Sequence, residues 1–428
     1  MTTQNAAAGA AVGGTAAPPG APAPTANAML AMAFVGFFVN FWAWALLSPL
    51  GPSLKETLHL SSFQQSLVVA IPVLVGSLGR IPVGALTDRL GARVMFPAVS
   101  LGTVVPVLLL ARFHTYPALL AFGFALGLGG SAFAVGVPFV NAWFPPGRRG
   151  AALGLFGMGM GGTAVSALTT VRLSRHFGFA APFLLVAAVL AGYALVAMVV
   201  LRDNPARAVP TTSAWQRFAG VVRLPVTLEL SWLYAIAFGG YVAFSVYLVT
   251  YLKTAYGLTP ADASNKMAGF VVVAVLLRPV GGWLSDRVHP VPVLVVGYTV
   301  VALMAAVQAT QPALAPLGTI TFLSMAGALG AGAGAVFALV ARVTSPDQVG
   351  AVTGVVGAAG GLGGFIPPLV MGSIYGHTGS YRWGLLLLAG VAALTAAYTA
   401  IRMRSRGSGP RSGAGAEASA EASAEASL

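Results

Sequence analysis

Apolar residues in this chain come in long unbroken runs, with neither the stripe of an amphipathic helix nor the alternation of a half-buried strand. Twelve such runs lie near 29–50, 62–86, 94–112, 117–140, 150–172, 180–201, 229–252, 266–286, 291–309, 313–341, 349–375 and 382–402. Each is about 20 residues long, the length a helix needs to cross a hydrocarbon core about 30 Å thick. Strands of a membrane barrel would alternate instead. The pattern therefore predicts an all-α integral membrane protein of twelve transmembrane helices. A longer, basic stretch at 202–228 divides it into two six-helix bundles, 28–201 and 229–402, joined by a cytoplasmic linker. Residues 1–27 are rich in Ala, Gly, Pro and Thr and carry no basic residue, unlike a signal peptide, and are expected to be a disordered tail. Residues 403–428 are Gly/Ser-rich before an EAS repeat and are expected to be a second.

Two charges interrupt the apolar runs. Arg80 sits in VLVGSLGRIPVGALTDRLG and Arg278 in VVVAVLLRPVGGWLSDRV. Each precedes an aspartate (Asp88, Asp286) by eight residues, which at helical rise is roughly 12 Å and puts both near mid-membrane. A charge at that depth costs at least a few kcal/mol and marks function by default. No acidic residue lies at the same depth in the sequence. An anionic substrate is the simplest counter-charge. Guanidinium is planar, always charged and matched to planar oxyanions. The bland alternative is that each arginine snorkels or caps carbonyls freed near Pro82 and Pro279.

The two halves repeat. At an offset of 198, RIPVGALTDR lies against RPVGGWLSDR, pairing Arg80 with Arg278, Asp88 with Asp286 and Arg89 with Arg287. At an offset of 200, Gly150, Gly154, Gly157 and Gly161 face Gly350, Gly354, Gly357 and Gly361. Gly130 and Phe133 of the fourth span likewise match Gly334 and Phe337 of the tenth. Alternating-access carriers use such duplication, with substrate held between halves. The glycines fall on one helical face, and tight helix packing in lipid is their expected role.

Composition narrows the class further. With 57% hydrophobic and 8% charged residues, an ordinary soluble domain is excluded. A net charge of +13 raises nucleic acid as a partner, but Lys and Arg collect in alternate loops: Arg89 and Arg93, Arg148 and Arg149, the linker, Arg287, Arg342, then Arg402, Arg404 and Arg406. This positive-inside bias makes the lipid bilayer the partner, rules against nucleic acid, and predicts a multi-pass protein of the cell (inner) membrane with both termini cytoplasmic. There is no cysteine. The ten carboxylates and five histidines lie in loops, tails or at span ends, so no intramembrane relay for proton coupling is evident. No HExxH, Walker loop or GxSxG occurs, so neither a metal, a cofactor nor enzymatic activity is expected.

GALTDRLGAR (Gly84 to Arg93) resembles the loop motif of the major facilitator superfamily, and LSDRV its degraded second copy. Within that superfamily, RIPVGALTDRLGAR, GLGGSAFAVGVPFVNAWFPPGRRGAALGLFG and LLRPVGGWLSDRV resemble the nitrate/nitrite porter family. The resemblance implies Arg80 and Arg278 as ligands of a planar anion, with Phe133 and Phe337 sandwiching it. It also implies a tyrosine of the seventh span; Tyr234 fits best by its neighbours, with Tyr241 the alternative. The family often has an asparagine in the glycine-rich fifth span, where this chain reads GMGMGGT with Met160 or Gly161. That departure leaves the choice of anion open. The expected function is secondary transport of small inorganic oxyanions, nitrate or nitrite foremost, by anion exchange and as a monomer. Asp88, Arg89, Arg93, Asp286 and Arg287 are expected to latch the halves on the cytoplasmic side. Alternatives are a carrier of formate, oxalate or cyanate, proton-coupled nitrate symport, or a sensor that kept the fold.

Overall fold

The computed structural model describes residues 25–205, 214–344 and 348–403. The expected tails and the middle of the linker lie largely outside the described residues, as does the packing of Gly150. Among the described residues, twelve helices are long and apolar enough to cross a membrane: Ala26–Thr57, Ser62–Leu90, Ala92–Arg112, Tyr116–Trp143, Ala151–Phe177, Ala181–Val200, Pro225–Tyr256, Pro260–Arg287, Pro290–Ala309, Leu314–Val343, Val349–Thr378 and Arg382–Met403. The twelve expected runs all fall on these helices, which extend several residues past the apolar core at their polar ends. No strand occurs among the described residues.

Local chemistry sets the ends. A capping box starts the second span, where the Ser61 hydroxyl accepts from the Gln64 N–H and the Gln64 side chain accepts from the Ser61 N–H. Proline in the first turn opens the fourth, sixth, seventh, eighth and ninth spans, where its missing N–H costs nothing. Gly257 and Gly379 end the seventh and eleventh spans in left-handed conformation.

Helices of the same half pack through small residues. A Cβ on Gly334 would lie 2.1 Å from the carbonyl oxygen of Arg278, so the tenth span rests directly on the backbone of the eighth. Its repeat partner Gly130 would meet the Gly76 Cα at 2.8 Å, bringing the fourth span onto the second. Between halves, the second span packs on the eleventh, the fifth on the eighth and the first on the seventh.

The halves meet on one side only. Away from the GALTDRLGAR loop, the Ser48 hydroxyl donates to the Val246 carbonyl (2.8 Å), the Gln65 amide to the Thr250 hydroxyl (3.0 Å) and Arg172 to Asn265 (2.7 Å). Lys253 and Glu56 form an ion pair there. On the loop side the halves part around a cavity of about 1430 Å³ whose lining includes Asp88, Asp203, Asp286, Arg149 and Arg342. This is a carrier-like shape, closed on one side and open on the side of the basic loops.

Candidate functional site

Arg80 and Arg278 come together at the inner end of the cavity, 7% and 5% exposed. Arg80 begins the lower piece of the second span, where Ser62–Leu78 gives way to Arg80–Leu90 at Gly79. Arg278 lies within the uninterrupted eighth span. Neither forms an ion pair among the described residues. Two buried guanidiniums without a counter-charge are costly, and what offsets the cost here is rings and weak acceptors.

Each arginine reaches across to the other half. Arg80 Nη1 donates to the Gly357 carbonyl of the eleventh span at 2.6 Å, while its Nε is buried without a partner. Arg278 Nη2 donates to the Tyr234 hydroxyl (3.0 Å) and its Nη1 to the Met160 sulfur of the fifth span (3.0 Å). Carbonyl capping thus does occur at Arg80, but on the opposing helix rather than at its own break. Phe133 lies 5.2 Å from Arg80 and 5.9 Å from Arg278, and Phe337 5.9 Å from Arg278. The two rings are 6.4 Å apart at an interplanar angle of 30°. Phe238 faces both arginines, at 5.5 Å and 5.4 Å. Cation–ring contacts at these distances stabilise a desolvated guanidinium by up to about 2 kcal/mol.

Tyr234 stacks on Phe238 at 5.0 Å and 3°. Tyr241, two turns further along the helix, instead bonds the Thr163 hydroxyl at 3.0 Å. Between the two tyrosines left open by the sequence, Tyr234 is the one on an arginine.

The glycine series divides. A Cβ on Gly157 would stand 3.4 Å from Arg278 Nε, and one on Gly357 3.9 Å from Arg80 Nη1, so these two repeat partners seat the arginines of the opposing half. Close packing holds at Gly361, where a Cβ would fall 2.0 Å from the Ser77 hydroxyl across the halves. Gly154 meets only Pro279, at 3.6 Å, and Gly161 only Phe38 and Val275, at 3.8 Å or more. Gly350 and Gly354 have nothing within 4 Å and border the cavity, because the halves are apart there. Of the residues expected to latch the halves, Asp88 and Asp286 line the cavity. The backbone N–H groups of Arg93 and Ala92 face the Asp203 carboxylate at the start of the linker, at 3.4 Å and 2.8 Å. Arg287 lies over the Trp283 ring at 4.1 Å, on its own helix.

Phe238 and the Met160 sulfur were missed as contacts of the arginines. An aromatic one turn after Tyr234 was the available signal for Phe238; for Met160 it was the departure from the resembling family's asparagine at Met160 or Gly161.

A twelve-helix membrane protein in two repeated halves, open to one side onto a buried pair of guanidiniums, has the architecture of a major facilitator carrier. The Major Facilitator Superfamily model matches residues 33–264 and 230–426. The chain is 50% identical over 370 residues to the probable nitrate/nitrite transporter NarK2 of Mycobacterium tuberculosis, covering 86% of this chain and 94% of that one. It is 37% identical to the nitrite extrusion protein of Bacillus subtilis (85% and 91% covered) and 34% to the probable nitrate transporter NarT of Staphylococcus haemolyticus (84% and 92%). Among solved structures, a bacterial homologue of the human lysosomal transporter Spinster, inward-facing and occupied, superimposes with a TM-score of 0.71 at 18% identity, covering 90% of this chain and 98% of that one. The chain belongs to the nitrate/nitrite porter family of the major facilitator superfamily.

Proposed function

We propose that this protein carries nitrate and nitrite across the cell membrane by alternating access, exchanging one anion for the other. The observation that carries the reading is the pair of buried guanidiniums, one from each half, with no carboxylate paired to them among the described residues. Its relatives' names support the choice of anion. Arg80 and Arg278 grip the anion, Phe133 and Phe337 flank it, and Tyr234 orients Arg278. The loop side is cytoplasmic, as the basic loops indicate, and the termini lie there too. The chain works as a unit of two bundles, 28–201 and 229–402, on a linker at 202–228. The state described by the cavity is then inward-open, and Asp88, Arg89, Asp286 and Arg287 latch the halves when that side closes.

Exchange follows from electrostatics. An empty site that crosses the membrane closed must bury two cations together, which a bound anion offsets. The loaded carrier therefore crosses more readily than the empty one. Proteoliposomes test this directly. Nitrate uptake should be rapid with nitrite or nitrate inside and slow with an empty lumen, and a proton gradient should not replace the internal anion. Rapid uptake into empty vesicles driven by protons alone would establish symport in place of exchange.

A further inference from the structure

The Met160 sulfur sits where a donor of Arg278 points, and a thioether is a weak acceptor. Met160 is wholly buried and lies in a short tight turn, Met158–Gly161, that interrupts the fifth span. The same residue's backbone is tied to a contact between the halves. The Thr163 hydroxyl donates to the Met160 carbonyl at 3.0 Å, which leaves the Thr163 oxygen to accept from Tyr241 of the other half, also at 3.0 Å. Tyr241 lies two helical turns from Tyr234 toward the closed side. A continuous chain of contacts thus runs from Arg278 through the Met160 side chain, its backbone and Thr163 to Tyr241.

Building on the anion reading of the site, we propose that Met160 is a placeholder for the anion whose displacement loosens the closed side. Its sulfur accepts from Arg278 Nη1. An arriving anion takes that donor, because a charge-assisted hydrogen bond to an oxyanion outcompetes one to a thioether. Met160 must then move. The turn that carries it is flanked and interleaved by Gly157, Gly159 and Gly161, so its backbone yields easily. Moving the Met160 carbonyl shifts the Thr163 hydroxyl that Tyr241 is bonded to. Met160 is therefore a positioning residue in two senses: it holds Arg278 poised, and it reports occupancy to the Tyr241–Thr163 contact.

The absence of cysteine allows a clean single-cysteine probe. Val246 is 3% exposed at the closed interface, and only its carbonyl bonds to Ser48. In the Val246→Cys protein, nitrate should raise the rate of labelling by a membrane-impermeant thiol reagent on the closed side by about threefold or more, a shift between two populated states. Adding Met160→Leu, which keeps the bulk but removes the sulfur, should tighten nitrate binding by about threefold or more, because no acceptor on Arg278 then has to be displaced, while labelling no longer responds to nitrate. Tyr241→Phe should raise labelling without nitrate, and it serves as the second variant if Met160→Leu folds poorly. A nitrate response in Met160→Leu equal to the parent's, or Tyr241→Phe labelling at the parent's resting rate, overturns the proposal. So does nitrate that binds the parent without changing its labelling. Nitrate that fails to bind the parent at all defeats the anion reading itself and the placeholder with it.

Discussion

The two halves carry the same motif at the same depth and build it on different supports. In the first half, the first, second, fourth and fifth spans are each interrupted: after Trp44, at Gly79, over Gly127–Ser131 and over Met158–Gly161. Their counterparts Pro225–Tyr256, Pro260–Arg287 and Val349–Thr378 run without a break, and the tenth span departs from regular helix only at its start, over Leu314–Gly318. The arginines follow suit. Arg80 starts a helix piece and holds a backbone carbonyl; Arg278 lies mid-helix and holds two side chains, Tyr234 and Met160. A carbonyl in a continuous helix is fixed, whereas side chains can turn away. The difference teaches that duplication conserved the charge and its depth while its partners diverged, leaving Arg278 the more easily freed of the two.

The largest effect tests what the halves share. Arg80→Lys and Arg278→Lys should each weaken nitrate binding by roughly 30-fold or more, about 2 kcal/mol, since lysine keeps the charge and loses the planar fork. Direct binding to purified protein checks this, and near-parental affinity in either variant would remove that arginine from the site. Next comes a contrast between repeat partners. Gly361→Ala puts a Cβ 2.0 Å from the Ser77 hydroxyl, while Gly161→Ala finds its nearest neighbour at 3.8 Å. Overpacking of 1–3 kcal/mol predicts that Gly361→Ala drives the closed side open and changes cysteine accessibility there by about tenfold. Gly161→Ala should stay near the parent, and equal effects at both positions would erase the asymmetry.

Tyr234→Phe removes a hydrogen bond from Arg278 alone. It should weaken anion binding by roughly 3- to 10-fold, in keeping with one lost bond to a charged group. The smallest effect concerns the loop motif, complete in GALTDRLGAR and shortened in LSDRV. Asp88→Asn should shift accessibility toward the open loop side and slow exchange by about 2- to 5-fold, with Asp286→Asn doing less, as befits partly solvated charges. Transport rates and labelling on the loop side measure both; a larger loss at Asp286 would reverse the order of the halves.

Much of this was legible in the chain. The twelve spans follow from apolar runs because lipid leaves a backbone no partner but itself, so composition over 20 residues decides the element. Arg80 and Arg278 were legible for the same reason, as charges that the surrounding run should have excluded. The aromatic pair Phe133 and Phe337 became visible only through the family resemblance, since a phenylalanine in a membrane helix is ordinarily packing. Phe238 was not picked out, and Met160 was noticed only as a departure from the resembling family's asparagine, because nothing in one dimension says which side chain of a helix faces a guanidinium.

By itself, then, the sequence determined the class, the number and place of the helices, the repeat, and the two charges at mid-membrane. These depend on local solvation, which each segment meets on its own terms. Tertiary structure decided what the repeat could not. It chose which side is open, turned Gly157 and Gly357 from packing residues into seats for the opposing arginines, and gave Arg80 a carbonyl where Arg278 received a phenol and a thioether. Those outcomes depend on how two helices from different halves lie against each other, and crossing geometry is set by the summed shape of both surfaces rather than by any one residue.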